Sequence, residues 1–390
     1  MGLRRIRLLT AGESHGPSLT GVLEGLPAQL PLSREKLQHQ MRRRQLGYGR
    51  GARMKIETDE VEITGGVRFG KTTGAPIGIS IRNQDFQNWQ EEMAVWEAPL
   101  EQKRFVHKPR PGHADLAGGL KYGEHDLRNI LERASARETA VRTAAGALCR
   151  QLLELTNIEI ASHVLVIGGV EAADKSPAWA VIASVQDSER LRCVDPSAEE
   201  KIVALIDEAK TRKETLGGIF QVVARNVLPG LGSHVHWDRK MDGRIAHAMM
   251  SIPAVKGVAI GDAFEICRNW GSEAHDEIFY EENRGFFHKT NRAGGTEGGI
   301  TTGEEIRVTV AMKPLSTLMK PLQSVDVITK EAQEAVVERS DVCSVPAGGI
   351  VGEAMLALVL VDALLEKFSS DTLPELLASV EFYRKQLAAY

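Results

Sequence analysis

Cysteine is scarce and scattered. The 390 residues hold four, Cys149, Cys193, Cys267 and Cys343, with no CxxC pair, which argues against a zinc site or a disulfide framework and fits a reducing cytoplasm. An excess of one charge is also lacking. Forty-eight basic against 52 acidic side chains leave a net charge of −4, too balanced for a chain that would bind nucleic acid through its bulk field. A local basic cluster can still serve a small anion. No apolar run is read as long enough to span a bilayer, and residues 1–7 carry basic side chains with no apolar stretch behind them, so neither a membrane span nor a signal peptide is expected. What remains is 43% hydrophobic and long enough for a substantial core, read as one domain over 1–390.

Glycine is plentiful, at 37 residues, and suits short strands and tight turns. Period-two alternation predicts strands at 61–67, 77–82, 159–167, 219–227, 256–266 and 306–312. Helical periodicity predicts helices at 33–45, 126–156, 198–213, 240–250, 329–339 and 347–368, two of them dense in alanine near 137–153 and 347–362. The segment 72–81 echoes 301–310. Each copy is followed downstream by a Glu-Arg pair, Glu132-Arg133 or Glu338-Arg339, and then by a small-residue helix. The echo predicts two related halves whose Glu-Arg corners face a shared site; turn-strand segments that merely look alike are the alternative.

Three motifs mislead. Gly65–Thr72 has P-loop spacing, but Gly74, Pro76 and Gly78 follow with strand alternation where a P-loop needs a helix. Gly12-Glu13-Ser14-His15-Gly16 has the spacing of a hydrolase nucleophile elbow, yet Pro17 and a strand-like run follow the serine. His234, His236 and Asp238 lack a further ligand cluster, so no metal is expected.

The remaining candidates are cations with glycine or serine beside them. Arg42 and Arg43 read as a solvated helix end. Arg44 and Arg50 flank Gly47, Gly49 and Gly51, where backbone and guanidinium together can approach an anion. His113 sits past a turn stiffened by Pro109, Pro111 and Gly112, as a candidate acid or clamp; His107 reads as surface. Ser135 reads as a helix cap, and with Arg133 and Arg137 as an anion site where a helix begins. Lys313-Pro314-Leu315-Ser316-Thr317 offers a cation and hydroxyls at a strand end, shortly after four glycines around Thr296 and Glu297 that include Gly298. Arg339-Ser340-Asp341 is either a structural ion pair or a base kept ionised by its neighbour.

Residues 12–27, 132–148 and 339–355 resemble, in order, the three signatures of the chorismate synthase family, and the similarity extends over essentially the whole chain. The resemblance implies an α+β fold, a β-α-β sandwich of antiparallel sheets with helices packed between. It implies a carbon–oxygen lyase of the shikimate pathway, converting 5-enolpyruvylshikimate 3-phosphate to chorismate by 1,4-anti elimination of phosphate and a C6 hydrogen. It also implies reduced FMN as cofactor, NADPH or an external flavin reductase as its source of electrons, a homotetramer, and a cytoplasmic protein without nucleic-acid or membrane partners. By motif, His113 resembles the acid that protonates departing phosphate, His15 the group supporting reduced flavin, and Asp341 the base for the C6 proton. Arg133, Ala134, Ser135, Pro253, Ala254, Gly298, Lys313 to Thr317 and Arg339 resemble flavin contacts. Some relatives carry Asn or Gln in place of Pro253. Arg44 and Arg50 resemble NADPH positions, though by charge they serve substrate equally well, and Arg137 joins this cation supply.

Overall fold

A computed structural model describes residues 5–51, 54, 56–96, 103–282, 284–338 and 340–390. Its first sheet is antiparallel and comes from β1 (Arg7–Ala11), β2 (Ser18–Glu24), β3 (Val61–Gly65) and β6 (Ile77–Arg82), in the order β1-β2-β6-β3. The helix α1 (Arg34–Gln45) lies between β2 and β3, and the small hairpin β4 (Val67–Arg68) and β5 (Lys71–Thr72) lies between β3 and β6. That hairpin occupies the apparent P-loop, and no helix follows it. Likewise β2, not a helix, follows the apparent nucleophile elbow.

Three helices come next: α2 (Asp115–Tyr122), α3 (Arg128–Ala134) and α4 (Thr139–Leu155). The helix expected over 126–156 is thus interrupted. Ser135 is extended and caps a short 3-10 turn over Ala136–Glu138, its hydroxyl accepting from the Arg137 amide at 3.3 Å.

The second sheet, also antiparallel, takes β7 (Glu159–Ile167), β8 (Val170–Glu171), β9 (Gly218–Arg225), β10 (Val255–Ile260) and β15 (Ile306–Met312), in the order β10-β15-β9-β7-β8. Helices α5 (Trp179–Ser184) and α6 (Pro196–Thr211) follow β8, and α7 (Met241–Met250) follows β9. Short elements separate β10 from β15: α8 (Ala263–Ile266), α9 (Gly271–Ala274), the hairpin β11 (Ile278–Glu281) and β12 (Gly285–His288), and the hairpin β13 (Thr296–Glu297) and β14 (Ile300–Thr301). The chain ends with β16 (Gln323–Val325), β17 (Ala332–Glu334), α10 (Val345–Lys367) and α11 (Leu373–Ala389).

Two expectations are corrected here. The strand read over 256–266 stops at Ile260, where Gly261 takes φ +60° and α8 begins. The helix read over 329–339 is not one. β17 pairs with β16, and an extended segment follows whose Val336 amide donates to Lys108 O. Strand pairing to a distant segment overrode local periodicity.

Helices α4 and α10 fill the space between the sheets. α4 lies against β2 and β6, α10 against β7 and β9, and the two cross each other. They approach so closely that a Cβ at Gly146 would stand 2.4 Å from Ala354 Cα. β2 shows one buried face, alternating along its length, whereas β7 and β9 are buried almost throughout. Trp179 and Ile182 of α5 cover the outer face of these two strands beside Ala161 and Val223. One apolar cluster runs from Ile6 to Val380. By length and composition α10 could cross a bilayer, which corrects the expectation that no apolar run was long enough, but 94% of its apolar window is buried within the fold.

The two four-strand orders match. Numbered by appearance, β1-β2-β6-β3 reads first, second, fourth, third, and so does β7-β9-β15-β10. In each set a helix links the second and third strands, α1 in one and α7 in the other, and an alanine-rich helix follows downstream, α4 or α10.

Candidate active site

The turn after β1 carries His15. Its Nδ1 lies 2.9 Å from Glu132 Oε1, and its backbone amide donates to Glu132 Oε2 at 2.8 Å. Glu132, on α3, is 2% exposed and also accepts from Arg128 at 3.1 Å. Burial alone would raise the Glu132 carboxyl, but the hydrogen bonds and charge of His15 and the Arg128 charge prevail and hold it below its usual range. Arg128 extends its other arm to Glu338 at 3.0 Å. The glutamates of both Glu-Arg pairs therefore meet on one arginine. Arg133, at the end of α3, donates to the Gly12 and Thr10 carbonyls at 3.0 Å and fixes the root of the His15 turn.

A second histidine is built in the same way. His113 Nδ1 lies 2.6 Å from Asp115 Oδ1, and Arg110 Nε donates to Asp115 Oδ2 at 2.8 Å. Arg110 Nη2 also lies 3.0 Å from His113 Nδ1, but the shorter carboxylate contact assigns the Nδ1 proton to the Asp115 bond. Burial would raise the Asp115 carboxyl. The hydrogen bonds and charges of His113 and Arg110 overcome that and keep it far below the carboxylate range. The 313–317 segment closes on this corner. Lys313 Nζ donates to the Gly112 carbonyl, and Thr317 Oγ1 lies 2.9 Å from Arg110 Nη1. The Lys313 amide donates to Ala254 O at 3.0 Å, which brings in the Pro253–Ala254 turn, where Ala254 has φ +68°.

The third group joins two loops. Arg50 Nη1 lies 2.8 Å from Asp341 Oδ2, the Gly51 amide donates to Asp341 Oδ1 at 2.6 Å, and Ser344 Oγ donates to Oδ2 at 2.8 Å. The Val342 amide donates to Gly49 O at 2.8 Å, so the loops are zipped by backbone as well. A side chain at Gly49, φ +85°, would stand 2.9 Å from Ile206 Cγ2. The described cation beside Asp341 is Arg50; Arg339, the neighbour in sequence, lies outside the described residues, as does Arg53.

Arg44 and Arg137 stand between these groups, 5% and 4% exposed. Both hold Asp59, Arg44 at 2.9 Å, and Arg137 also reaches Glu57 at 3.3 Å. Burial lowers the Arg44 guanidinium to about 10 despite Asp59. Arg44 Nη2 also donates to Ala136 O at 3.3 Å, next to Ser135. Asn83 links this pair to the His15 turn, accepting from Arg137 Nε at 3.0 Å and donating to Gly16 O at 2.7 Å. Arg42 is exposed as expected, but Arg43 is not. It is 2% exposed, with Glu353 at 2.8 Å in the core. Gly298 lies in the β13–β14 turn with φ +60°, nearest to His234.

Asp115, Arg128, Asp59 and Asn83 are functional candidates that sequence reasoning missed, while it places Glu132 only as half of a Glu-Arg corner facing the site and Arg110 only as part of the stiff loop that carries His113. A signal existed for one: His113-Ala114-Asp115 sets a carboxylate two residues from a histidine. Arg128 and Glu132 stand at i, i+4 and Arg110 and Asp115 five residues apart, whereas His15–Glu132, Arg137–Asp59 and Arg137–Asn83 join residues far apart in the chain.

Fold and site together define an α+β enzyme whose polar centre is lined by histidines and arginines drawn from loops of both sheets. Residues 6–365 match the family described as chorismate synthase. The chorismate synthases of Aquifex aeolicus and Thermus thermophilus are each 53% identical to it, over 100% and 99% of this chain and 100% of each relative. A solved structure titled "Crystal Structure of Chorismate Synthase" superposes with a TM-score of 0.81 at 46% identity, covering 100% of both chains. The chain belongs to the chorismate synthase family. Its activity is that of a lyase forming chorismate from 5-enolpyruvylshikimate 3-phosphate, and membership implies a flavin requirement.

Proposed function

We propose that the elimination runs with reduced FMN in the space bounded by His15, His113 and the Arg50–Asp341 pair. The observations that carry this reading are the doubled histidine–carboxylate–arginine arrangement and the Arg50–Asp341 pair. The donor set suits an anionic flavin. Lys313 and Arg133 meet carbonyls or a hydroxyl rather than carboxylates among the described residues, and Arg50 Nε is buried without a partner. The segments 133–135 and 313–317, Pro253–Ala254, Gly298 and Arg339 would hold the cofactor. When bound, reduced FMN supplies electron density to the allylic system as phosphate departs.

His113 delivers a proton from Nε2 to the leaving phosphate, its ring held by Asp115 through Nδ1. Asp341, oriented by Arg50, Gly51 and Ser344, receives the C6 proton. His15, held by Glu132, would support the reduced form of the bound flavin. Arg50 faces substrate or NADPH. An anion would reach Arg44 and Arg137 only in competition with Asp59, so these two form the wall behind it.

An anaerobic assay with dithionite-reduced FMN should yield chorismate, and the same assay with NADPH alone separates an intrinsic flavin reductase from an external one. Asp341→Asn should bind flavin normally but slow the elimination; wild-type turnover in that variant would remove Asp341 as base. We further propose a homotetramer in the cytoplasm and one domain over 1–390 built from two duplicated halves, a reading that the matched strand orders support. Superposing 65–150 on 294–365 tests the duplication, and opposed chain directions would remove it.

A further inference from the structure

Trp89 has no place in the roles given so far. It follows the 3-10 turn Gln84–Asn88 and is 8% exposed. Its indole lies flat on the His15 imidazole, with ring centroids 3.9 Å apart and planes 23° from parallel. The Arg104 guanidinium lies 3.7 Å from the same indole centroid. Two groups so near one centroid cannot share a face without colliding, so the indole is held between imidazole and guanidinium. Arg104 is tied in turn: its carbonyl accepts from Arg128 Nε at 2.6 Å, and Arg128 also holds Glu132, the His15 partner. The indole N–H reaches Asp85 at 3.3 Å, which restricts rotation in the ring plane.

A hydrogen bond at Nδ1 fixes one atom of an imidazole and leaves rotation about that bond. A flat contact on the ring face removes this remaining freedom. Such stacking is favourable beyond burial alone, and a working group must be held within about 0.5 Å and 10–20° of its productive geometry. We propose that Trp89, clamped by Arg104, is a positioning residue that sets the plane of the His15 imidazole and so the direction of its free Nε2. The proposal rests on His15 serving the reaction as read above.

The contact and the role can be tested separately. In the protein without flavin, the difference in emission between wild type and Trp89→Phe isolates the Trp89 signal, and His15→Ala should change that signal because it removes the stacked ring. An unchanged signal would overturn the contact. With reduced FMN under anaerobic conditions, Trp89→Leu should lower kcat about tenfold with KM for 5-enolpyruvylshikimate 3-phosphate within about twofold, while Trp89→Phe, which keeps a flat face, recovers at least about half of wild-type kcat. Full kcat in the leucine variant, or a phenylalanine variant as slow as leucine, would overturn the positioning role. Normal turnover in His15→Ala would instead remove the role of His15, and with it the purpose of the contact, whatever the emission shows.

Discussion

His15 and His113 are the same device built twice, and they differ in what meets the ring. Each Nδ1 rests on a carboxylate that an arginine also holds, Glu132 with Arg128 in one case and Asp115 with Arg110 in the other. Both side chains are 16% exposed, and both carboxylates are nearly fully buried. Beyond that base they part. His15 lies flat on an aromatic face, whereas His113 stands in a corner with Arg110, Lys313 and Thr317. The first setting suits a ring that must lie parallel to another flat system. The second gathers positive charge where a phosphate would leave. On the roles proposed above, one local arrangement would serve two tasks through its surroundings, as general acid–base sites commonly do.

The strongest way to break this comparison is to remove each ring. His113→Ala and His15→Ala should each lower turnover by roughly a hundredfold or more with reduced FMN supplied. His15→Ala should also alter the absorbance of bound reduced flavin, while His113→Ala leaves it as in wild type. Identical spectra in the two variants would mean the surroundings do not divide the work. Removing the carboxylate beneath each ring is the next step down. Asp115→Asn and Glu132→Gln should each cost roughly tenfold in kcat, since a partner that only orients a working group usually matters less than the group itself. A loss as large as that of the histidine variants would make the carboxylate a reacting group.

The smallest effect is on acid stability. Asp115 and Glu132 both titrate below their unfolded values in the folded protein. Their contribution is therefore fully present above the unfolded carboxylate range of about 4 and is lost as pH falls through the lower folded values. Urea midpoints of wild type should drop between about pH 5 and pH 3, and Asp115→Asn should drop less steeply than Glu132→Gln because Asp115 is held further down. Parallel curves for wild type and both variants would show that neither carboxylate is linked to folding in this range.

Much of the frame was legible. The strands at β6 and β15 and the helices α1, α7 and α10 followed from alternation and period, and the family from three motifs. The break at Ser135 was half visible, since a serine cap was read there but not the end of a helix before it. α2 was missed because Gly118 and Gly119 weaken its pattern, and α11 despite a capping box at Thr372 and Glu375. Partnerships were the main loss. Arg43 looks like one more cation in a solvated run, and only the arrival of Glu353, 310 positions later, explains its burial. Arg50 and Asp341, 291 positions apart by their numbering, meet because two glycine-bearing loops are laid edge to edge. A sequence shows which residues carry charge but not where long-range packing will bring them.

The position of α10 bears on how the molecule is made. It is the apolar filling against which β7, β9, α1, α4 and α7 all pack, and its first residue is Val345. Until the ribosome has passed that point, α4 can already cover β2 and β6, but the inner faces of β7 and β9, and the side of α4 that meets α10, have no permanent neighbour. Those surfaces stay unfinished from the synthesis of β7 until α10 emerges, so closure of this part of the interior is a late event and the stage before it is the one most exposed to aggregation.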